Sequence, residues 1–80
     1  MTRREQLGKL FDAKGDGVDI AIETIFCELY PAECMDNVEP RRMQQLCGDY
    51  ISRWNRKDGE KLRKRIVPGG ARRSYRRVAQ

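Results

Sequence analysis

The chain has 80 residues, 39% hydrophobic and 36% charged, with a net charge of +5 and no histidine. That length supports one small domain, residues 1–80, burying about two-thirds of the surface its unfolded form exposes, and leaves no room for a large substrate cavity. The longest apolar stretch, around Ile20 to Phe26, is interrupted by Glu23 and Thr24 and falls far short of the roughly 20 apolar residues that cross a bilayer. No signal peptide opens the chain, so a cytoplasmic protein without membrane contact is expected.

Residues 1–40 carry 4 Lys/Arg and 9 Asp/Glu, whereas residues 41–80 carry 13 and 3, so the halves balance at −5 and +10. Such polarity suggests one face built for a polyanion and another kept away from it. The three cysteines, Cys27, Cys34 and Cys47, form no close CxxC pair. An odd count without histidine argues against a disulfide framework and against a metal site, and leaves Cys27 and Cys47 as small core residues.

Thr2 and Glu5 have capping-box spacing, and Leu7, Leu10 and Phe11 repeat at helical intervals, which predicts a first helix over Arg3 to Ala13. Gly15-Asp16-Gly17 breaks it, and Val18-Asp19-Ile20 reads as a short strand or an extended link. Ile22, Ile25, Phe26 and Leu29, with Tyr30 beside them, mark a second amphipathic helix that Pro31 closes. Residues 32–37 form a connection in which Asp36 or Asn37 can cap the next helix, and Pro40 suits its first turn.

The third helix is expected over about 38–57, ended by Asp58-Gly59. Met43, Leu46, Cys47, Tyr50, Ile51 and Trp54 form an unbroken apolar stripe, with Arg41, Gln45, Ser52 and Arg56 opposite and Asp49 at the edge. Gly48, mid-helix, costs roughly 1 kcal/mol relative to alanine, a cost that packing or close approach would explain. Arg65-Ile66-Val67 and Arg72-Arg73-Ser74-Tyr75-Arg76-Arg77-Val78 flank Pro68-Gly69-Gly70, a hairpin over about 64–78 whose basic residues fit a solvated ribbon.

Three helices followed by a basic hairpin give an α+β expectation, the order of a winged helix-turn-helix domain with the hairpin as its wing. In that arrangement the third helix enters the major groove of double-stranded DNA. Arg41 and Arg42 are then suited to guanine, Gln44 or Gln45 to adenine, and Ser52 and Arg56 to phosphates. Asp49 can accept from a cytosine amino group, pair with Arg53 or Arg42, or weaken nonspecific binding; an ion pair is favoured.

The run Tyr50-Ile51-Ser52-Arg53-Trp54-Asn55-Arg56-Lys57 resembles the recognition-helix segment of the winged-helix effector domains of bacterial response regulators, where an isoleucine-serine-arginine-leucine core precedes basic residues. Ile66-Val67, the glycine turn and Ser74-Tyr75-Arg76 are similar to that family's final hairpin, and the likeness spans about residues 5–78. The resemblance implies that Arg53 and Lys57 contact phosphates or buttress the helix, and that the hairpin around Arg72, Arg73 and Arg76 acts as the wing. Trp54 stands where the family has leucine and Ser74 where it has glycine, and the chain has neither a receiver domain nor room for an N-terminal sheet. Control by phosphorylation therefore does not carry over. The fitting comparison is a stand-alone regulator of the kind found among phages and mobile elements.

The Met43/Leu46/Tyr50/Trp54 stripe is read as core, and Tyr75 as a ring closing the hairpin onto the helices. Pro68-Gly69-Gly70 lacks the spacing of a phosphate loop, and Asp16, Asp19, Glu23 and Glu28 are too scattered for a catalytic pair or a calcium loop. No enzyme, metal or cofactor is expected. The expected function is sequence-specific DNA binding by a nucleoid-associated transcription regulator, with homodimers or tandem copies on the duplex. Two alternatives stand beside it: an excisionase-like architectural factor that bends DNA, and an interaction module whose acidic first half contacts and inhibits a protein partner.

Overall fold

A computed structural model describes residues 1–80. Helix α1 (Arg3–Lys14) begins at the expected capping box: the Glu5 amide donates to Thr2 Oγ1 at 3.2 Å, and the Thr2 amide donates back to Glu5 Oε1 at 3.2 Å. Its buried residues are Leu7, Leu10 and Phe11. The chain then turns through Gly15 and Gly17, at φ 93° and 80°, values that exact a penalty from any residue with a Cβ. Strand β1 (Ile20–Ala21) leads directly into α2 (Ile22–Leu29), whose buried face is Ile22, Ile25, Phe26 and Leu29 as the periodicity requires. Tyr30 follows it, stacked on Phe26 at 5.2 Å and covered by the Arg3 guanidinium at 4.1 Å. Arg3 Nε also donates to the Leu29 carbonyl at 2.8 Å, so the start of α1 is fastened to the end of α2.

Helix α3 (Pro40–Trp54) buries Met43, Cys47, Ile51 and Trp54, with Leu46 and Tyr50 half-buried against the same core. Neither Asp36 nor Asn37 caps it: Glu39 stands at the cap without a side-chain bond, and Pro40 opens the first turn. Nor does Asp58-Gly59 end the helical path. The chain passes through a π-helical turn, Asn55–Gly59, into one more turn, α4 (Glu60–Leu62), before Arg63 reverses it at φ 55°. Glycine punctuates a sequence only when the backbone there needs its freedom. Gly59 keeps helical geometry and serves another purpose, because a Cβ on it would lie 2.6 Å from the Lys64 carbonyl and 3.1 Å from the Trp54 ring.

Strands β2 (Lys64–Pro68) and β3 (Ser74–Ala79) form the expected hairpin, paired from Lys64↔Ala79 to Pro68↔Tyr75. β1 adds to the free side of β3 through Ile20↔Tyr75 and Ala21↔Ser74, giving a three-stranded antiparallel sheet in the order β1-β3-β2. The result is a small α+β domain in which three helices pack on one another and Ile20 and Ile66 of the sheet join their core. No helix is long and apolar enough to cross a membrane.

Two expectations need correction. Cys27 and Cys34 form a disulfide, tying α2 to the connection ahead of α3. Their seven-residue separation is invisible to motif rules, but α2 ends at Leu29 and the turns of residues 31–35 fold Cys34 back beside it. Cys47 alone is the small core residue expected; burial pushes its thiol up to about 11, which leaves it unreactive.

The hairpin is also less of a solvated ribbon than its composition suggests. Arg77 is only 3% exposed; its Nε donates to Asp16 Oδ1 at 2.6 Å and its Nη2 pairs with Asp12 Oδ1 at 2.8 Å. Lys64 adds a second cation to Asp16 at 2.8 Å, and Arg4 on α1 holds Asp58 in the π turn at 2.9 Å. Four ion pairs therefore join the acidic first half of the sequence to the basic second half.

Closing so short a loop with a disulfide removes roughly 2–3 kcal/mol of unfolded-state entropy. Reduction by a dithiol is expected to lower the urea midpoint by a corresponding amount with the m-value nearly unchanged. An unmoved midpoint would show that the connection holds itself without the bridge.

Candidate nucleic-acid interface

On a helix with 100° per residue, burying Met43, Cys47, Ile51 and Trp54 turns Arg41, Gln45, Ser52 and Arg56 outward, and all four are exposed. Arg42 flanks this face, exposed and without an ion pair, while Gln44 is half-buried on the other side. Arg53 is exposed but engaged. Its Nη2 lies 2.8 Å from Asp49 Oδ2 and its guanidinium 5.5 Å from the Tyr50 ring, so the favoured ion pair for Asp49 is the one present. Both partners are more than half exposed, so the pair adds little stability; its effect is to mask the one acid on α3. Lys57 extends the basic surface into the π turn.

Gly48 lies midway along α3, at the edge of that outer face on the side of Arg41. A Cβ there would meet nothing within 4 Å, so no packing within the protein explains a glycine at this position. The sequence alone left packing and close approach open, and the structure removes packing within the chain.

The hairpin tip, Gly69 to Arg73, carries the second group of basic residues. Arg72 and Arg73 are exposed and make no ion pair. The tip backbone is anchored by a residue the sequence gave no reason to single out, Asp19. Its Oδ2 accepts the Ala71 amide at 2.9 Å and its Oδ1 accepts Arg76 Nε at 2.7 Å. The Arg73 carbonyl accepts the Ile22 amide at 2.8 Å, and Ser74 Oγ donates to the Ala71 carbonyl at 2.6 Å. Arg76 is thus a clasp for the tip as much as a free cation. Hydrogen bonds from Arg76 and then from Ala71 hold the Asp19 carboxyl below its ordinary 3.8, and bonds from Lys64 and Arg77 do the same for Asp16.

Where α3 ends, Asn55 fastens it to β2. Its amide nitrogen donates to the Ile66 carbonyl at 3.0 Å, and its oxygen accepts the Ile66 amide at 2.8 Å. Alongside lies an open groove of about 310 Å³ lined by Ser52, Asn55, Arg56, Glu60 and Arg65. A second cleft, about 260 Å³, lies between α1 and the end of the long helix and is lined by Gly8, Lys9, Asp12, Trp54, Leu62 and Arg77 among others. No group of three His, Cys, Asp or Glu side chains gathers in metal-binding range. Apart from Glu5, which caps α1, and Glu60 in the first groove, the acids left exposed and without an ion pair, Glu23, Glu28, Glu33, Asp36 and Glu39, lie on α2 and the connection after it. No protein-family model, curated protein or solved structure matches the chain.

Gly48→Ala is expected to raise stability by about 0.5–1 kcal/mol, since alanine gains helix propensity and meets no neighbour. A destabilised variant in thermal melting would reveal a constraint on α3 that the structure does not contain. Asp19→Asn is expected to leave the helices folded and to speed hydrogen exchange at the Ala71 amide. With their carboxyls held below 3.8, Asp16 and Asp19 stabilise the fold fully above that value and lose their contribution as pH falls through their lowered folded values. Tip protection should therefore decline on acidification in the parent and vary less with pH in Asp19→Asn. Equal protection of Ala71 in both proteins at neutral pH would mean the turn needs no clasp.

Proposed function

We propose that this chain is a winged helix-turn-helix domain that binds double-stranded DNA with sequence preference, acting as a small stand-alone transcription regulator. The observation that carries the reading is the outer face of α3 and its continuation: exposed Arg41, Arg42, Gln45, Ser52 and Arg56, one acid already masked by Arg53, and at its edge a glycine with no internal partner. The element order α1-β1-α2-α3-β2-β3 with sheet order β1-β3-β2 supports it, since a winged helix sets its hairpin beside such a helix in this way.

In the proposed mode α3 lies in a major groove. Arginine presents two parallel donors that match guanine O6 and N7, and glutamine matches the donor and acceptor of adenine, so Arg41, Arg42 and Gln45 read bases, while Gln44, half-buried on the other side, does not. Ser52, Arg56 and Lys57, farther along, meet phosphates. Arg72 and Arg73 at the wing tip add sequence-independent attraction, which grows from release of counterions and weakens with salt. Gly48 lets the groove wall approach the helix backbone.

A second reading draws on the exposed acids of α2 and its connection, which lie apart from the basic elements: a protein partner with a basic surface docks there. The two readings separate in one experiment, selection from a random duplex library at two salt concentrations followed by titration of variants. Duplex binding is expected, with Arg41→Ala or Gln45→Ala each costing about 1–3 kcal/mol on the preferred site and relaxing the preference. Replacing Arg72 and Arg73 together with alanine is expected to weaken all sequences alike and to flatten the salt dependence. Repeated sites with measurable bending point to an excisionase-like architectural role, and palindromic half-sites to a dimer. Absence of binding at low salt overturns the duplex reading and leaves the acidic face as the functional one.

A further inference from the structure

The groove beside Asn55 is built by the fold. β2 is an edge strand, and the Asn55 side chain takes both backbone groups of Ile66 on that edge, fixing the strand against the end of α3. Side chains alternate along a strand, so burying Ile66 turns Arg65 outward, into the groove with Arg56 and Ser52. The π-helical turn begins at Asn55 and carries the helical path on to Glu60, the fourth groove side chain. Such turns are rare and concentrate at functional positions. Ser52, Arg56, Glu60 and Arg65 are exposed, and none has a side-chain hydrogen bond or ion pair within the protein. Two guanidinium groups against one carboxylate leave the groove at +1. A single monoanionic phosphodiester brings it to neutrality.

We propose that this groove seats a backbone phosphodiester of bound duplex DNA, held by Arg56 and Arg65 with the Ser52 hydroxyl, and that Glu60 opposes it and keeps the contact weak. The assignment rests on the duplex-binding reading above and adds to it Arg65, a contact from the sheet, and Glu60, a negative determinant of affinity. Arg65 approaches from β2 and Arg56 from the π-helical turn that continues α3, so the phosphate is gripped from two elements whose spacing Asn55 sets. A contact of this kind fixes the position of α3 along the groove without reading a base.

Duplex binding by the full chain, measured against salt for the parent, Arg65→Ala, Glu60→Gln and Arg41→Ala, tests it. All three positions are exposed, and thermal melting checks that each variant folds. Arg65→Ala is expected to weaken every duplex several-fold and to lower the salt slope by about 0.9, the loss of one phosphate contact. Glu60→Gln is expected to tighten every duplex several-fold. If both variants bind as the parent does while Arg41→Ala weakens binding, the groove is not a phosphate seat and the duplex reading stands. If the parent binds no duplex at about 50 mM salt, the reading and the seat fall together. Inorganic phosphate that shifts the Ser52 and Arg65 amide resonances as strongly as the duplex does would identify a free anion as the ligand and overturn the assignment to DNA.

Discussion

The Arg77 guanidinium is the point through which the molecule is held together. It comes from β3, lies 5.6 Å from the Trp54 ring of α3, and pairs with Asp12 of α1 and Asp16 of the following turn. A charge that is 3% exposed is tolerable only when paired, and Asp12 and Asp16 share that pairing. The geometry that satisfies it therefore fixes much of the fold at once. α1 must approach β3, the Gly15–Gly17 turn must bring Asp16 back across the sheet, and Trp54 must supply the floor. Gly17 N–H donates to the Arg77 carbonyl at 2.8 Å, which holds that turn by the backbone as well.

This arrangement changes what the charge asymmetry of the chain means. Asp12, Asp16 and Asp19 account for a third of the acids in the first half, and each is matched to a base of the second half, Arg77, Lys64 or Arg76. With Glu5 taken up by the cap of α1, the acids of α2 and its connection remain to form a negative region. The unpaired bases of the second half lie on α3, the turns that extend it, Arg65 of β2 and the hairpin tip, while Lys9 and Lys14 stay free on α1. Part of the polarity visible in the sequence is the ionic fastening of α1 and its loop to the sheet. The remainder is what a polyanion would meet.

The helices were legible because burial imposes its period on the side chains: Ile22, Ile25, Phe26 and Leu29, or Met43, Cys47, Ile51 and Trp54, have few arrangements other than a core-facing stripe. The hairpin was legible from its glycine turn. The pairing of β1 with β3 was not, because two residues contain no alternation to detect. The continuation past Gly59 was hidden for a related reason, since glycine in a sequence signals freedom and here supplies closeness to Lys64 and Trp54. The disulfide escaped because Cys34 approaches Cys27 only after the connection has folded. Among interface residues, α3 followed from angle alone. Asp19 and Asn55 did not, since their partners lie 11 to 57 positions away, and Arg65 did not because the groove it lines exists only once β2 packs beside the end of α3.

The internal bonds of the hairpin tip bear on how recognition is divided in the proposed mode. A wing that reads the minor groove needs a long loop with free polar groups. Here the loop between Pro68 and Ser74 is short, and its Ala71 amide, Ala71 carbonyl and Arg73 carbonyl are all occupied by Asp19, Ser74 and Ile22. Only the side chains of Arg72 and Arg73 are left to reach outward, and flexible guanidinium groups on a clasped turn supply charge more readily than base selectivity. Sequence preference then rests on α3, where Gly48, midway along the helix, removes a Cβ from the edge of the face and allows the backbone to come close. Charge at the tip governs how tightly any duplex is held, and the shape of α3 governs which one.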